Sequence, residues 1–377
     1  MTMPTWYAGL MTGTVLDGQI DLALIRTDGH VISEFGPAGA IPYPDDLRDQ
    51  LAACVEAAAA WKFGGPEPAL TKQLTRQVEH DLTLAQSHAV TDFVSSHGFD
   101  MTDIAAIGFH GQTILHRPPV VGVAGRTRQL GDGALMAAHT GRPVIFDFRS
   151  ADMAHGGQGA PLCPVYHTAL LTGQQIGQEA AMLNLGGIGN ITWRAAEGSI
   201  IGFDTGPANA PIDDWVRRHN AGPMDHEGRI ALRGTVDEDR VARALGHAYF
   251  QNSYPKSLDR LDFPASLADG LSLEDGAATL TAIAATAVAH AIALLPRPVK
   301  RLIVCGGGRH NPALMMAIET RADVTVTNAD DLGWRGDALE AECFAFLAAR
   351  RLAELPASFP STTGVSHPLV AGRIAMP

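Results

Sequence analysis

The order strand, glycine turn, strand, strand, helices occurs twice along this 377-residue chain, and that duplication constrains the fold more than any other feature. In the first third, Tyr7–Met11, Asp21–Arg26 and Val31–Phe35 read as short strands parted by Gly/Asp turns such as Thr27-Asp28-Gly29. Connections this short make an antiparallel meander, because parallel strands need a longer crossover. Helices follow at Asp45–Ala60 and about Pro68–Ser96, where Leu70, Leu74, Val78 and Leu82 recur at i+4. Ile104–Phe109 and Val144–Phe148 read as further strands, and Val165–Leu171 as a helix. The second half restarts the pattern. Met182–Leu185 and Asn190–Arg194 flank a glycine turn, and Ile200–Phe203 is a third strand. Helices are expected at Ile212–His219, Val236–Gln251 and Ser272–Leu295. Arg301–Cys305 then enters three glycines, and Asn311-Pro312 opens another helix. Asp337–Leu355 reads as a last helix, apolar along Leu339, Cys343, Phe344, Leu347 and Leu352 and stopped by Pro356.

A chain of this length exceeds what one core usually supports, so two domains are expected. A net charge of −12, with no clusters of Lys or Arg, argues against nucleic acid and anionic membranes as partners. Cys54, Cys163, Cys305 and Cys343 are far apart and include no CxxC pair. They read as core residues of a protein kept in a reducing cytoplasm. The residues before the first strand lack the basic and apolar regions of a signal peptide, so a cytosolic protein is expected. The Ala-rich run Gly276–Leu295 is about long enough to span a bilayer, but Thr279, Thr281, Thr286 and His290 make it a buried helix instead. The fifteen histidines show no paired-ligand spacing, so no structural metal is expected.

Four glycine-containing loops follow apolar runs: Gly9–Gly18, Leu185–Asn190, Gly202–Gly206 and Val304–Gly308. Glycine lets main-chain amides approach an anion closely, and an aspartate beside such a loop can hold hydrated magnesium or take a proton. The first loop joins two strands and lacks the GxxxxGK[ST] spacing, which excludes a P-loop and a Rossmann fingerprint. Taken alone it is an ordinary tight turn. Paired with the second loop at the start of a matching half, it reads as one of two phosphate loops of an actin-like or sugar-kinase ATPase.

More of the chain carries a specific resemblance. Gly108-Phe109-His110-Gly111-Gln112-Thr113, Gln129-Leu130-Gly131-Asp132-Gly133, Asp147-Phe148-Arg149 and Gly156–Leu162 follow the first loop in order. Asn184–Asn190, Gly202–Pro207, Gly306–Asn311, Asp337–Ala341 and Phe359–Gly364 complete the series. With these motifs the chain resembles the anhydro-N-acetylmuramic acid kinases, members of the acetate and sugar kinase/actin superfamily. The resemblance implies an α/β fold of two actin-like (ribonuclease H-like) domains, with mixed sheets flanked by helices and an interdomain ATP/sugar cleft. The N-terminal domain would be 1–172 joined by 337–377, and the C-terminal domain 173–336.

The activity implied is an ATP-dependent phosphotransfer to an alcohol group, with Mg2+. Water opens the 1,6-anhydro bridge while the freed O6 takes the γ-phosphoryl group, giving N-acetylmuramic acid 6-phosphate and ADP. Such chemistry belongs to cytoplasmic peptidoglycan recycling, and the family suggests a homodimer. By resemblance Asp204 is the base that activates water on the face opposite the leaving oxygen, with a turn or capping aspartate as the alternative. Gly9, Thr12, Gly13, Thr14, Asp17, Gly18, Gly186, Gly187 and Asn190 would hold phosphate, Asp17 meeting the metal through water. Gly306, Gly307, Gly308 and Asn311 would meet the adenosine. His110, Gln112, Thr113, Arg149, Asp152, Gln158 and Glu340 would contact the sugar. Arg149 reads equally as a structural ion pair and Glu340 as an exposed first-turn residue.

Val15 stands where the family usually has serine, which removes one hydroxyl from the first loop. A different anhydrosugar such as levoglucosan, or a catalytically impaired sugar-binding protein, are the alternatives this leaves open.

Overall fold

The structure, a computed structural model, describes residues 3–12, 18–61, 66–119, 122–258 and 262–377. Its elements in chain order begin with β1 (Thr5–Met11), β2 (Gln19–Thr27), β3 (Ile32–Pro42), α1 (Asp45–Ala59), α2 (Ala69–Ser96) and β4 (Ile104–Phe109). Next come β5 (Gln112–Arg117), β6 (Arg126–Leu130), α3 (Gly133–Thr140), β7 (Val144–Phe146), α4 (Ser150–Ala154) and α5 (Pro164–Gly173). The later part holds β8 (Ala180–Leu185), β9 (Ile188–Arg194), β10 (Ile200–Pro207), α6 (Asn209–Arg218), α7 (Glu238–Leu245) and α8 (Leu273–Ala293). It ends with β11 (Arg301–Cys305), α9 (Pro312–Ala322), β12 (Thr325–Asn328), α10 (Leu339–Leu352) and β13 (Arg373–Ala375). The chain divides into two compact units, one of Met1–Gly173 with Glu340–Pro377, the other of Gln174–Leu339.

In the first unit the sheet runs β13-β7-β4-β1-β2-β3. β1, β2 and β3 are the expected antiparallel meander, with Tyr7 opposite Ile25 and Ile25 opposite Phe35. β4 then adds parallel to β1, and β7 parallel to β4. In the second unit the order is β10-β9-β8-β11-β12, where β8, β9 and β10 form the meander and β11 and β12 add in parallel. Leaving aside β13, both sheets share one order, 3-2-1-4-5 by position within the unit. The duplication expected from sequence is thus a duplication of topology, that of the ribonuclease H-like domain. Each parallel strand arrives through helices long enough for the crossover, α1–α2 before β4 and α6–α8 before β11.

Small residues let α10 lie directly on the first sheet. A Cβ at Gly9 would fall 1.9 Å from the Ala341 carbonyl oxygen, and one at Gly108 2.0 Å from that of Phe344. The core beneath is built from Leu10, Leu22, Leu51, Val78, Ile107 and Phe109. In the second unit α8 is long and apolar enough to cross a membrane by length and composition, yet 72% of its apolar window is buried. It packs against α6, α7, α9 and β10, and the ring of Trp215 occupies the space that a Cβ at Gly276 would need. α8 is therefore the core helix of this unit.

Several boundaries differ from expectation for identifiable reasons. β10 does not stop at Phe203. It continues through Asp204 to Pro207, with a shift of register against β9 between Asp204 and Gly206. The single helix expected over Val236–Gln251 ends at Leu245, and a 3₁₀ turn, Ala248–Gln251, follows. The hairpin β5–β6 was not anticipated, because Arg126-Thr127-Arg128-Gln129 offers no apolar alternation. β13 pairs antiparallel with β7, at the edge of the first sheet.

Candidate active site

In the second unit a polar row crosses the sheet. Asp204 lies opposite Asn190, Asn190 opposite Asn184, and Asn184 beside Cys305 in the parallel neighbour. Residues directly opposite in a ladder share a face, so Asp204, Asn190 and Asn184 stand together on one side. Asp204 is 8% exposed, and Oδ2 accepts the main-chain N–H of Leu258 at 2.9 Å. The Asp204 N–H donates to the carbonyl of Lys256 at 3.1 Å, and the Tyr249 hydroxyl donates to the Asp204 carbonyl. Burial, then the charge of Asp204, raises the proton affinity of that phenol, so Tyr249 remains a donor. A carboxylate inside a strand, locked by main-chain contacts on both sides, has a defined direction that a free turn residue would lack.

Beside this row, Gly186 and Gly187 form the tip between β8 and β9. A Cβ at Gly186 would meet nothing closer than the Ile188 carbonyl at 3.5 Å, and one at Gly187 nothing closer than Ala210 at 3.4 Å. Neither residue has the positive φ that would demand glycine. The fold itself does not require these glycines, and what they leave is open backbone. The carbonyls of Gly186 and Gly187 are fixed by N–H groups at the start of α6, from Asn209 at 3.0 Å and from Ala208 and Ala210 at 3.1 and 3.2 Å. Asn190 adds a buried Oδ1 that finds no partner among the described residues.

The third glycine loop divides differently. Gly306 (φ +75°) and Gly308 are needed for packing, since a Cβ would fall 2.2 Å from Asn184 Oδ1 and 2.5 Å from Leu185 Cβ respectively. Gly307 faces open space. Asn311 caps α9, its Oδ1 accepting the Leu314 N–H at 3.1 Å with Pro312 at the first helical position. The loop is braced by Arg309, 6% exposed, which binds Asp330 at 2.9 Å and Asp337 at 2.6 and 2.7 Å.

In the first unit His110, Arg149, Asp152, Gln158 and Glu340 fall around one hub. The guanidinium of Arg149 donates to the Gly159 carbonyl at 2.8 Å and to His110 Nε2 at 3.0 Å. Arginine only donates, so Nε2 of His110 accepts and the ring proton sits on Nδ1. Burial and the neighbouring guanidinium both push the proton affinity of His110 well below the usual range, leaving a neutral ring. Burial also pulls Arg149 down, opposed by its thiol neighbour Cys163 and by Glu340 in the first turn of α10. Asp152 is fully buried, with Oδ1 accepting the Gly159 N–H at 2.7 Å and Oδ2 the Thr363 hydroxyl at 2.5 Å. It binds the glycine loop and the Phe359–Gly364 segment together, and Gln158 is held there through its own N–H to the Thr363 carbonyl at 2.7 Å. Gln112 is buried at the start of β5, and Thr113 is half-buried, its hydroxyl accepting from Gln129 at 3.3 Å.

The first phosphate loop is only partly described. Gly13, Thr14, Val15, Leu16 and Asp17 lie outside the described residues. Gly9 is inside β1 rather than in the turn, and packing against α10 accounts for its missing side chain. Thr12 is buried, and its hydroxyl donates to the Gly111 carbonyl at 3.1 Å. Gly18 has φ +82° and accepts the Tyr43 N–H at 3.0 Å. Among the described residues no group of three or more His, Cys, Asp or Glu is arranged for a metal ion.

Sequence reasoning missed Lys256, Tyr249, Asn184 and Thr363. Asn184 and Thr363 stand within motifs already noted, whereas Lys256 was visible only as a rare lysine after Tyr254-Pro255.

Residues 5–377 match the family model described as anhydro-N-acetylmuramic acid kinase. The chain is 57% identical over 372 residues to the anhydro-N-acetylmuramic acid kinase of Rhizobium rhizogenes, covering 99% of each chain. It is 54% identical to the protein of that name from Mesorhizobium japonicum, again over 99% of both. Among solved structures it is similar to component A of the (R)-2-hydroxyglutaryl-CoA dehydratase of Acidaminococcus fermentans. That match has 12% identity and a TM-score of 0.47, over 92% of this chain and 99% of the other. A ROK family glucokinase from Streptomyces griseus matches at 12% identity and TM-score 0.40, over 91% and 98%. The chain belongs to the anhydro-N-acetylmuramic acid kinase family.

Proposed function

We propose that this chain is the ATP-dependent kinase that opens the 1,6-anhydro ring of anhydro-N-acetylmuramic acid and phosphorylates O6, within cytoplasmic peptidoglycan recycling. Water adds at the anomeric carbon, the bond from that carbon to O6 breaks, and O6 takes the γ-phosphoryl group. The products are N-acetylmuramic acid 6-phosphate, ADP and one proton. The observation that carries this reading is Asp204: a main-chain-anchored carboxylate, on the sheet face that ends at the open glycines Gly186 and Gly187, in a chain of this family.

In this reading Asp204 takes the proton of the attacking water. Phosphoryl transfer itself needs positioning and charge neutralisation more than covalent help. The bare backbone of Gly186-Gly187 and the orphaned Asn190 Oδ1 suit a close approach by the nucleotide, with Gly307 open for the adenosine. Magnesium, when bound, neutralises phosphate charge, and Asp17 is our candidate to meet it through water. Arg149 and Glu340 contact the sugar acid and its hydroxyls, with Thr113. Asp152 and His110 hold the loop and the guanidinium that do so, while Gln158 lines the site. A homodimer is the expected assembly.

Purified protein incubated with ATP and anhydro-N-acetylmuramic acid, with the product weighed by mass spectrometry, tests the reading. The product expected carries both one water and one phosphoryl group. Consumption of levoglucosan but not the muramyl sugar would overturn it.

A further inference from the structure

Lys256 is 5% exposed, an unusual place for an ammonium group. Both ends of the residue are tied to the surroundings of Asp204. Its carbonyl accepts the Asp204 N–H at 3.1 Å, and two residues on, the Leu258 N–H holds the Asp204 carboxylate at 2.9 Å. Its Nζ donates to the Tyr249 carbonyl at 3.4 Å, and lies 4.5 Å from the centre of the Tyr249 ring and 5.8 Å from that of Phe203. Cation–π contact and a carbonyl hold such a group in place, but they do not neutralise it.

Asp204 comes from β10 and Lys256 from the loop after Tyr254-Pro255. Tyr249, on the 3₁₀ turn, is a phenol whose proton is held by burial and by the nearby Asp204 and Asp262. Burial lowers the proton affinity of Lys256, and the charge of Asp204 opposes that effect. The two groups thus stabilise each other's charged forms. A base must be ionised to take a proton from water.

We infer that Lys256 is a positioning residue for the reaction: its ammonium group keeps the Asp204 carboxylate ionised and aimed, without touching substrate. The inference rests on the reading of Asp204 as the base. It explains why a lysine, and no apolar residue, fills a pocket otherwise walled by aromatic rings.

The test is the pH profile of kcat/KM for the anhydromuramyl sugar in wild type, Lys256→Met, Lys256→Gln, Lys256→Arg and Asp204→Asn, each checked for folding by circular dichroism. An opposite charge favours the ionised form of a carboxyl. Loss of the ammonium should therefore move the acid limb to higher pH in Lys256→Met and Lys256→Gln. Lys256→Gln keeps a donor for the Tyr249 carbonyl and covers the case in which methionine does not fold. Lys256→Arg should return the limb toward wild type. An unmoved limb in a folded variant, or an equal pH-independent loss in all three, overturns the inference. Asp204→Asn separates the two failures. Full activity there removes the base itself, whereas a dead Asp204→Asn beside an unmoved limb removes only the part given to Lys256.

Discussion

The main-chain N–H of Leu258 points at Oδ2 of Asp204, 2.9 Å away. Because the donor belongs to the backbone, no side-chain change at 258 short of proline removes it, and the carboxylate orientation is a property of the loop path. An asparagine at 204 can still accept this bond through its own oxygen. Asp204→Asn should therefore keep this contact yet lose the proton acceptor. A positioned general base contributes roughly 10²–10⁴-fold, so kcat should fall by that factor. Calorimetric titration with a non-hydrolysable ATP analogue should give nearly unchanged affinity. Turnover within a few-fold of wild type would remove Asp204 from the base role.

Two glycine substitutions should separate backbone that serves packing from backbone that serves a ligand. At Gly108 a Cβ would fall 2.0 Å from a carbonyl of α10, and neither strand nor helix can retreat without opening the core. Gly108→Ala should cost about 3 kcal/mol or more, the upper range for overpacking, seen as a lowered urea midpoint or as insoluble protein. At Gly186 the same methyl meets only an ordinary contact at 3.5 Å, so Gly186→Ala should unfold at the wild-type temperature. Its expected defect is a KM for ATP raised about tenfold, equivalent to about 1.4 kcal/mol. A normal KM would show that nothing approaches that turn.

Arg149→Ala should uncouple the hub of the first unit. The Gly159 carbonyl and His110 Nε2 would each lose a donor, and Glu340 its positive neighbour. Hydrogen bonds from charged donors are worth about 1.5–3 kcal/mol each. We expect KM for the sugar to rise by roughly one to two orders of magnitude while KM for ATP stays within a few-fold. Lysine at 149 should restore little, because it keeps the charge but not the planar fork. Steady-state kinetics with each substrate varied in turn decides the matter; equal effects on both KM values would refute a sugar-side role.

The contrast among the glycines also shows how far sequence could reach. The meander expected over Tyr7–Phe35 and its copy over Met182–Phe203 were legible because short turns leave no other pairing, although the third strand runs on to Pro42. Asp204 was legible through its motif, although its place inside β10 was not. Glycine at 206 looks like a turn, whereas the bulge there keeps the strand alive to Pro207. Gly9 and Gly187 look alike in sequence, and only tertiary contact separates them: Ala341 lies against one and nothing closer than Ala210 against the other. Asp152 reads from sequence as a sugar contact, and its buried bond to Thr363, 211 positions away, is invisible to local spacing. Lys256 was missed for the same reason: its significance lies in neighbours contributed by β10 and the Tyr249 turn.

The buried histidines predict how stability varies with pH. Burial lowers His167 to about 4 and His116 to about 3, and His110 falls well below its ordinary value through burial and Arg149. In the unfolded chain each would titrate near the usual value of about 6.5. Below that value the unfolded state binds protons that the native state refuses, so the sign is fixed. Stability from these groups is intact at pH 7 and above and declines as pH falls from about 6.5 toward the native values. Each histidine contributes a slope approaching 1.4 kcal/mol per pH unit in that window. Replacing His167 on α5 with glutamine should flatten the dependence by one proton. Urea unfolding at half-unit steps from pH 5 to 7.5, for wild type and His167→Gln, measures the difference directly. Parallel curves would mean that His167 is protonated in the folded protein, against its burial.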